Sequence, residues 1–242
     1  MNYESTLYDL SLLVVGAANI AMAIGLLINN YAYRHYPVYH RSRVLTALFF
    51  VAFGIGLLLH CHFHWRQTCP PMATALSLTY FHIAAVAITW SHTSLLNPRY
   101  LSGRVAARDM ILLTIGLSTY WLTALYPPLV EWQRAAILPF LVNAVWMACD
   151  FYTTYYRIRR HPFPALRNVG GKRIFRWMLL SCHLIIAFGI GSIVFTWLLP
   201  TAVWPYSVLL CVGGLVFVYI YYSISEYGTI IDTATNAVED IE

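Results

Sequence analysis

Long apolar runs separated by short polar gaps extend from one end of the chain to the other. A transmembrane helix needs roughly 20 apolar residues to cross about 30 Å of hydrocarbon. Seven segments meet or approach that length: residues 7–30, 44–64, 72–96, 110–126, 135–156, 177–199 and 206–225. The pattern predicts an all-α polytopic membrane protein, folded as a bundle of seven transmembrane helices.

The composition agrees with this pattern and excludes a water-soluble globular protein. Apolar residues make up 60% of the chain, charged residues only 10%, and the mean hydropathy is +0.62. So little polar surface could not cover a soluble domain. The net charge of +5 would suit nucleic acid only if the basic residues shared one water-facing surface, and they lie in short gaps between apolar runs. We therefore expect the lipid bilayer as a partner and no direct binding of nucleic acid by this segment.

The basic residues also predict an orientation. Thirteen of the 15 Lys and Arg residues fall in the gaps after the first, third and fifth spans, and the opposite gaps contain only Arg66 and Arg134. Short loops rich in Lys and Arg stay in the cytoplasm. This asymmetry predicts an N-terminus outside and a C-terminus in the cytoplasm.

A short internal repeat suggests a relation between the two halves. The sequence Ala-Phe-Gly-Ile-Gly occurs at residues 52–56 in the second span and at 187–191 in the sixth. Three helices, a connecting fourth and three further helices in the same orientation would give a 3+1+3 parallel repeat. Because apolar helices draw on few residue types, chance similarity stays open as the alternative.

Ionisable residues inside spans are costly and therefore mark candidate functional sites. His92, Asp150 and His183 each lie seven residues from an arginine at the predicted cytoplasmic boundary, so helical rise puts all three about 10 Å inside it. Asn143 continues the polar stripe of Asp150. If these faces converge, they form a ligand-binding or protonation switch, or hold a divalent metal. The alternative is that each side chain only bonds a neighbouring helix.

Histidines at the outer end of the second span form another group. His60 and His64 are four residues apart and share a helical face, which suits a metal, and His82 in the third span is a further candidate ligand. Helical rise places His82 on the order of 9 Å deeper than His60. Haem ligation needs two imidazoles at one level, so haem is the less favoured cofactor. Cys61 and Cys69 flank the next turn, and whether they form a disulfide stays open.

The positions of lysine and proline bear on whether the chain belongs to other classes of seven-helix protein. A retinal protein needs a Schiff-base lysine in its last span, and the only lysine, Lys172, lies in a loop, so retinal is excluded. A rocking sugar carrier would bring hinge prolines into several spans, whereas only Pro139 lies well inside one. A small-solute transporter and a metal- or haem-binding integral membrane enzyme stay open as alternatives to a sensor.

Residues 227–242 differ in character from the transmembrane domain, residues 1–226. Their apolar residues recur at a spacing of three and four: Ile230, Ala234, Ala237, Val238 and Ile241. This predicts an amphipathic cytoplasmic helix that continues the last span. We expect such a helix to form a homodimer contact or to lead into a cytoplasmic effector domain beyond Glu242.

The course of seven spans, the ending Tyr-Ile-Tyr-Tyr-Ser-Ile-Ser-Glu-Tyr at residues 219–227 and the acidic helical exit resemble one known group. They are similar to the membrane-embedded N-terminal regions of bacterial regulators that end in an AraC-type helix-turn-helix domain. The resemblance implies a signal-receiving role in the bacterial cytoplasmic membrane and carries over no site residue. We therefore expect a sensor rather than an enzyme, which passes a small-ligand, metal, proton or lipid signal through its seventh helix to transcription regulation.

Overall fold

The computed structural model describes residues 3–160, 171–199 and 201–239, and within these ranges every regular element is helical. The α-helices are α1 (Tyr3–Ile28), α2 (Pro37–Phe63), α3 (Trp65–Thr68), α4 (Pro70–Leu96), α5 (Gly103–Leu125), α6 (Leu138–Arg160), α7 (Gly171–Leu198) and α8 (Trp204–Glu239). Two 3-10 helices, Asn29–Tyr33 and Pro127–Ile137, follow α1 and α5. The predicted all-α fold is confirmed.

Six helical segments are long and apolar enough to cross a membrane. They are Ser5–Ile28, Pro37–Phe63, Pro70–Leu96, Pro127–Arg160, Arg173–Thr196 and Trp204–Glu226. Each overlaps one of the predicted spans. The predicted fourth span lies in α5, which has 23 residues but carries Arg108, Asp109 and several hydroxyl side chains, so it is less apolar than the other six.

Local signals explain where the helices begin and end. Pro37 and Pro70 begin α2 and α4, at positions where a backbone N–H would have no partner within the helix. Ser102 caps α5 by accepting a hydrogen bond from the N–H of Val105 at 3.4 Å. His64 ends α2 in the left-handed conformation, with φ 51°. These abrupt ends keep the connections short, so consecutive long helices pack side by side.

The bundle is more densely packed on one side than on the other. On the dense side α2 lies between α1 and α4, and α8 packs along α1. A Cβ on Gly54 of α2 would lie 3.1 Å from the carbonyl oxygen of Gly16 of α1, so these two backbones are close together. By contrast, α7 packs mainly on α8 and only touches α4 and α6. The difference leaves a gap between α6 and α7.

The last helix is longer than a membrane crossing requires. α8 runs unbroken over 36 residues, which at 1.5 Å per residue is about 54 Å, against about 30 Å of hydrocarbon. The predicted tail, residues 227–242, is helical as far as Glu239, and its side chains lie outside the described residues. α8 is therefore about 24 Å longer than one crossing of the hydrocarbon requires.

Candidate functional site

The gap between α6 and α7 opens into an apolar cavity with a volume of about 240 Å³. Its side walls come from α4, α6 and α7, and its back wall from aromatic residues of α2 and α8. None of the described residues that line it carries a formal charge, and the polar groups among them are the side chains of Thr89, His92 and Cys182. A cavity with this lining favours a hydrophobic guest.

The mouth of the cavity faces the side of the bundle. Val145 on α6 and Ile190 on α7 line it and are 63% and 57% exposed. Both lie within segments that are long and apolar enough to cross a membrane, more than one helical turn from either end. The mouth therefore opens at the side of the bundle and not at either of its ends.

The back wall connects the cavity to α8. The ring of Phe217 on α8 lies 4.6 Å from that of Phe53 on α2 and 5.3 Å from that of Phe188 on α7, measured between centroids. Phe188 also packs directly over Gly213 of α8, where any Cβ would overlap its ring. Phe188 and Phe217 therefore join the wall of the cavity to α8 by direct contact.

His92 on α4 lines the cavity and also a small recess beside it. The side chain is only 6% exposed, and its Nδ1 lies 3.2 Å from the carbonyl oxygen of Ile88, one turn earlier on α4. A carbonyl oxygen can only accept, so Nδ1 carries the proton and Nε2 is left as an acceptor. His92 is therefore a neutral hydrogen-bond acceptor in an uncharged wall, whose other described polar groups are the side chains of Thr89 and Cys182.

The predicted inner layer does not assemble around Asp150. The Asp150 carboxylate forms an ion pair with Arg108 at 2.8 Å and accepts a hydrogen bond from the hydroxyl of Tyr100 at 3.2 Å. His183 is exposed and bonds the carbonyl of its own helix at Leu179, as His92 does at Ile88. The expected contact between Asp150 and either histidine is thus replaced by contacts to α5 and to the loop before it.

The residues missing from that prediction are Arg108 and Asp109. The sequence interpretation counted Arg108 as a loop residue, whereas α5 begins at Gly103 and brings both side chains beside Asp150. Asp109 is fully buried; it accepts from Arg108 Nε at 2.8 Å and from Trp90 Nε1 at 2.7 Å. The adjacent basic and acidic residues just before an apolar run were the signal for a charged cluster at a helix end.

Tyr100 completes this charged cluster as a donor. It lies in the loop between α4 and α5, outside the spans, and is buried. Burial, with a smaller contribution from the charge of Asp150, raises the pKa of the Tyr100 phenol above its usual value. The hydroxyl therefore stays protonated and stabilises the Asp150 carboxylate.

His82 and Asn143, which the sequence assigned to different groups, form one buried network. Asn143 Nδ2 donates to His82 Nε2 at 2.9 Å, and Nδ1 of the same ring bonds the hydroxyl of Tyr120 at 2.9 Å. All three side chains are fully buried. Gly116 allows this approach of α5, because a Cβ there would lie 2.7 Å from His82 Nδ1. The network joins α4, α5 and α6 beside the cavity.

The outer histidines are separate from His82 and from each other. His60 is buried and bonds the hydroxyl of Ser77 at 3.0 Å. His64 is exposed at the end of α2, where its Nδ1 lies 3.3 Å from the Asp9 carboxylate. Among the described residues, no three His, Cys, Asp or Glu side chains lie close enough to hold a metal ion. The two predicted metal groups, His60, His64 and His82 and the inner histidines with Asp150, are therefore not formed.

Arg66 holds the ends of several helices together. The sequence places this residue in a gap between two spans, and in the structure it is only 2% exposed. Its guanidinium donates to the hydroxyls of Tyr8 at 3.0 Å and Ser77 at 3.2 Å. It also stacks 3.5 Å above the ring centroid of Tyr206 at the start of α8. Cys61 and Cys69 nearby are both free thiols, which answers the open question of a disulfide.

A second, larger recess of about 410 Å³ lies at the predicted outer surface. The 3-10 helix Pro127–Ile137 forms much of its wall, and its charged residues Glu131 and Arg134 are exposed. Charges in contact with water are screened and bind a ligand weakly. The apolar cavity is therefore the better candidate site.

Comparisons with known proteins found no match, so the proposed function depends on the geometry of the site. No protein-family model, no curated protein and no solved structure matches the chain.

Proposed function

We propose that the chain is the sensor module of a membrane receptor. A small hydrophobic ligand enters the apolar cavity sideways from the bilayer, and its binding shifts α8. The observation that carries this proposal is the uncharged cavity between α4, α6 and α7, with its mouth on the side of the bundle between Val145 and Ile190.

The receptor crosses the membrane seven times, with α5 as the additional crossing. Contacts support this count, because bonds between α4 and α5 occur along both helices in opposite order. They join Trp90 to Asp109, His82 to Tyr120 and Thr79 to Trp121, at 2.7, 2.9 and 3.0 Å. A helix antiparallel to α4 over that distance crosses wherever α4 does. The excess of Lys and Arg on one side favours an outer N-terminus and a cytoplasmic C-terminus.

α8 transmits the signal. Its residue Phe217 belongs to the cavity wall, and the same helix continues without a break to Glu239. A rigid helix that begins at the ligand and ends beyond the membrane can pass rotation or translation to a cytoplasmic output. The resemblance to regulators with an AraC-type domain favours transcription as that output, in a bacterial cytoplasmic membrane.

Methionine methyl NMR tests ligand binding. We expect n-butylbenzene, added to the protein in lipid nanodiscs, to shift the methyl signal of Met147 saturably, because Met147 lines the cavity. Met110, which is 47% exposed on α5, is the control and should show only non-saturable partitioning. Gly189→Leu should abolish the Met147 shift, since Gly189 lines the cavity and a Cβ there meets nothing within 4 Å. A Met147 shift that survives Gly189→Leu would contradict the proposal.

Spin labels test transmission. With the five natural cysteines replaced, labels at Tyr222→Cys on α8 and Val44→Cys on α2 occupy two exposed positions. The distance distribution between them should change when n-butylbenzene saturates the Met147 signal, and should not change in the Gly189→Leu chain. Binding without any distance change would leave a lipid-binding protein and not a receptor.

A further inference from the structure

We propose that the ligand is a hydrophobic molecule with a single hydroxyl group, such as an alkylphenol, and that this hydroxyl donates to Nε2 of His92. The inference rests on the proposed receptor function and specifies which class of ligand the cavity selects.

The first step concerns the state of His92. Among the residues that the structure describes, its hydrogen bond to the Ile88 carbonyl is its only one. That bond fixes the proton on Nδ1, so Nε2 has a lone pair and no protein donor. The ring is more than nine-tenths buried and lines the cavity. Nε2 has no partner among the described residues and is not fully enclosed, so a guest can reach it. An acceptor without a partner in such a wall is unfavourable, and a guest that supplies a donor relieves this cost.

The second step excludes charged ligands. A carboxylate or ammonium inside a span needs an opposite charge, and the described lining of the cavity offers none. The nearest charged cluster is internally paired, since Arg108 already bonds Asp109 and Asp150. A neutral donor satisfies Nε2 without this penalty. A hydroxyl is the simplest group of this kind that an otherwise apolar molecule can carry.

The third step sets the size of the ligand. The cavity of about 240 Å³ is larger than the ~150 Å³ apolar cavity that accommodates benzene. One ring with a short alkyl chain fills it, and the lateral mouth between Val145 and Ile190 leaves room for a longer chain to extend into lipid. His92 also lines a separate recess of about 20 Å³, which Ser223 and Ile224 of α8 help to form. A hydroxyl bound at His92 is therefore next to the transmitting helix.

A matched pair of ligands tests the inference. We expect 4-butylphenol to bind about tenfold tighter than n-butylbenzene, after each affinity is corrected for partitioning into the nanodisc. In His92→Phe, which keeps an aromatic ring but removes the acceptor, the two corrected affinities should become equal. His183→Phe is the control variant, because His183 is exposed and does not line the cavity; it should keep the tenfold preference.

A direct readout does not depend on the variants folding. In protein labelled with ¹⁵N-histidine, the Nε2 resonance of His92 should move on addition of 4-butylphenol and stay in place with n-butylbenzene. If both ligands bind with equal affinity, and Gly189→Leu blocks both, the receptor proposal survives and the role of His92 is wrong. If neither ligand shifts Met147, both proposals are wrong.

Discussion

Helices α2 and α7 contain the same five residues, Ala-Phe-Gly-Ile-Gly, at 52–56 and 187–191, and the two copies face the bundle in the same way. Phe53 and Phe188 are 3% and 8% exposed, whereas Ile55 and Ile190 are 50% and 57% exposed. The two phenylalanine rings even meet, with their centroids 6.0 Å apart. In both copies the phenylalanine points inwards and the isoleucine outwards.

The glycines of the two copies have different surroundings. A Cβ on Gly54 would lie 2.5 Å from Ile20 Cδ1, and one on Gly56 would overlap the ring of Tyr80. A Cβ on Gly189 would meet nothing within 4 Å, and one on Gly191 would make an ordinary contact at 3.6 Å. α2 has α1 and α4 as close neighbours, while α7 only touches α4 and α6. The same five residues thus form a packed contact in α2 and a cavity wall in α7. The difference arises because the two helices have different neighbours.

The largest effect is expected from the two phenylalanines. Phe53→Ala should lower the free energy of unfolding by about 3 kcal/mol, near the low end for buried phenylalanines because lipid also solvates apolar groups. Phe188→Ala should cost less, because Phe188 borders the open gap. Denaturant titration of both variants in detergent, with Ile55→Ala as the lipid-facing control, measures the difference. Equal losses would mean that α7 is packed as tightly as α2.

The second effect concerns the glycines at the end of each copy. Gly56→Ala should cost about 2 kcal/mol, since the new methyl group displaces the buried ring of Tyr80. Gly191→Ala is the matched control and should be neutral or slightly stabilising. The comparison fails if the two variants unfold at the same denaturant concentration.

The third effect is smaller because a flexible group can move. Gly54→Ala meets mainly the end of the Ile20 side chain, so we expect a loss of about 1 kcal/mol. Ile20→Val removes the Cδ1 atom that is in the way. The double variant should therefore be more stable than the sum of the single losses predicts, and a double-mutant cycle measures that coupling. If the stability losses of the two single variants simply add, the strain in Gly54→Ala comes from the carbonyl oxygen of Gly16 and not from Ile20.

Sequence alone predicted the helices well because length and apolarity are properties of each segment. Six of the seven predicted spans overlap segments apolar enough to cross a membrane. The α5 boundary was wrong at its N-terminus, where Arg108 and Asp109 seemed to belong to a loop. Their charges are tolerated inside a helix because Asp150 and Trp90 pair with them, and a single segment cannot show its partners.

The site was less predictable because depth along a helix does not give its rotation in the bundle. Helical rise gave His92 and Asp150 a common depth, yet Asp150 faces α5 and His92 faces the cavity. His82 and Asn143 bond each other although they are 61 residues apart. The cavity itself is space that no side chain fills. The repeat that contains Gly189 gave no sign of it, because the identical copy in α2 is packed.

The smallest change in the free energy of unfolding is expected for Gly189→Ala. This variant tests most directly whether the repeat in α7 is packed less tightly than the repeat in α2. Alanine is favoured over glycine inside a helix by roughly 0.8–1.0 kcal/mol, and at Gly189 this gain meets no opposing contact. We therefore expect Gly189→Ala to raise the free energy of unfolding by about 0.5 kcal/mol, allowing for incomplete transfer of the peptide value. Gly213→Ala on α8 is the control and should destabilise, because its Cβ overlaps the ring of Phe188. If Gly189→Ala destabilises the purified protein as well, the space beside Gly189 is already filled, and the cavity would belong to a bound molecule or to a second copy of the chain.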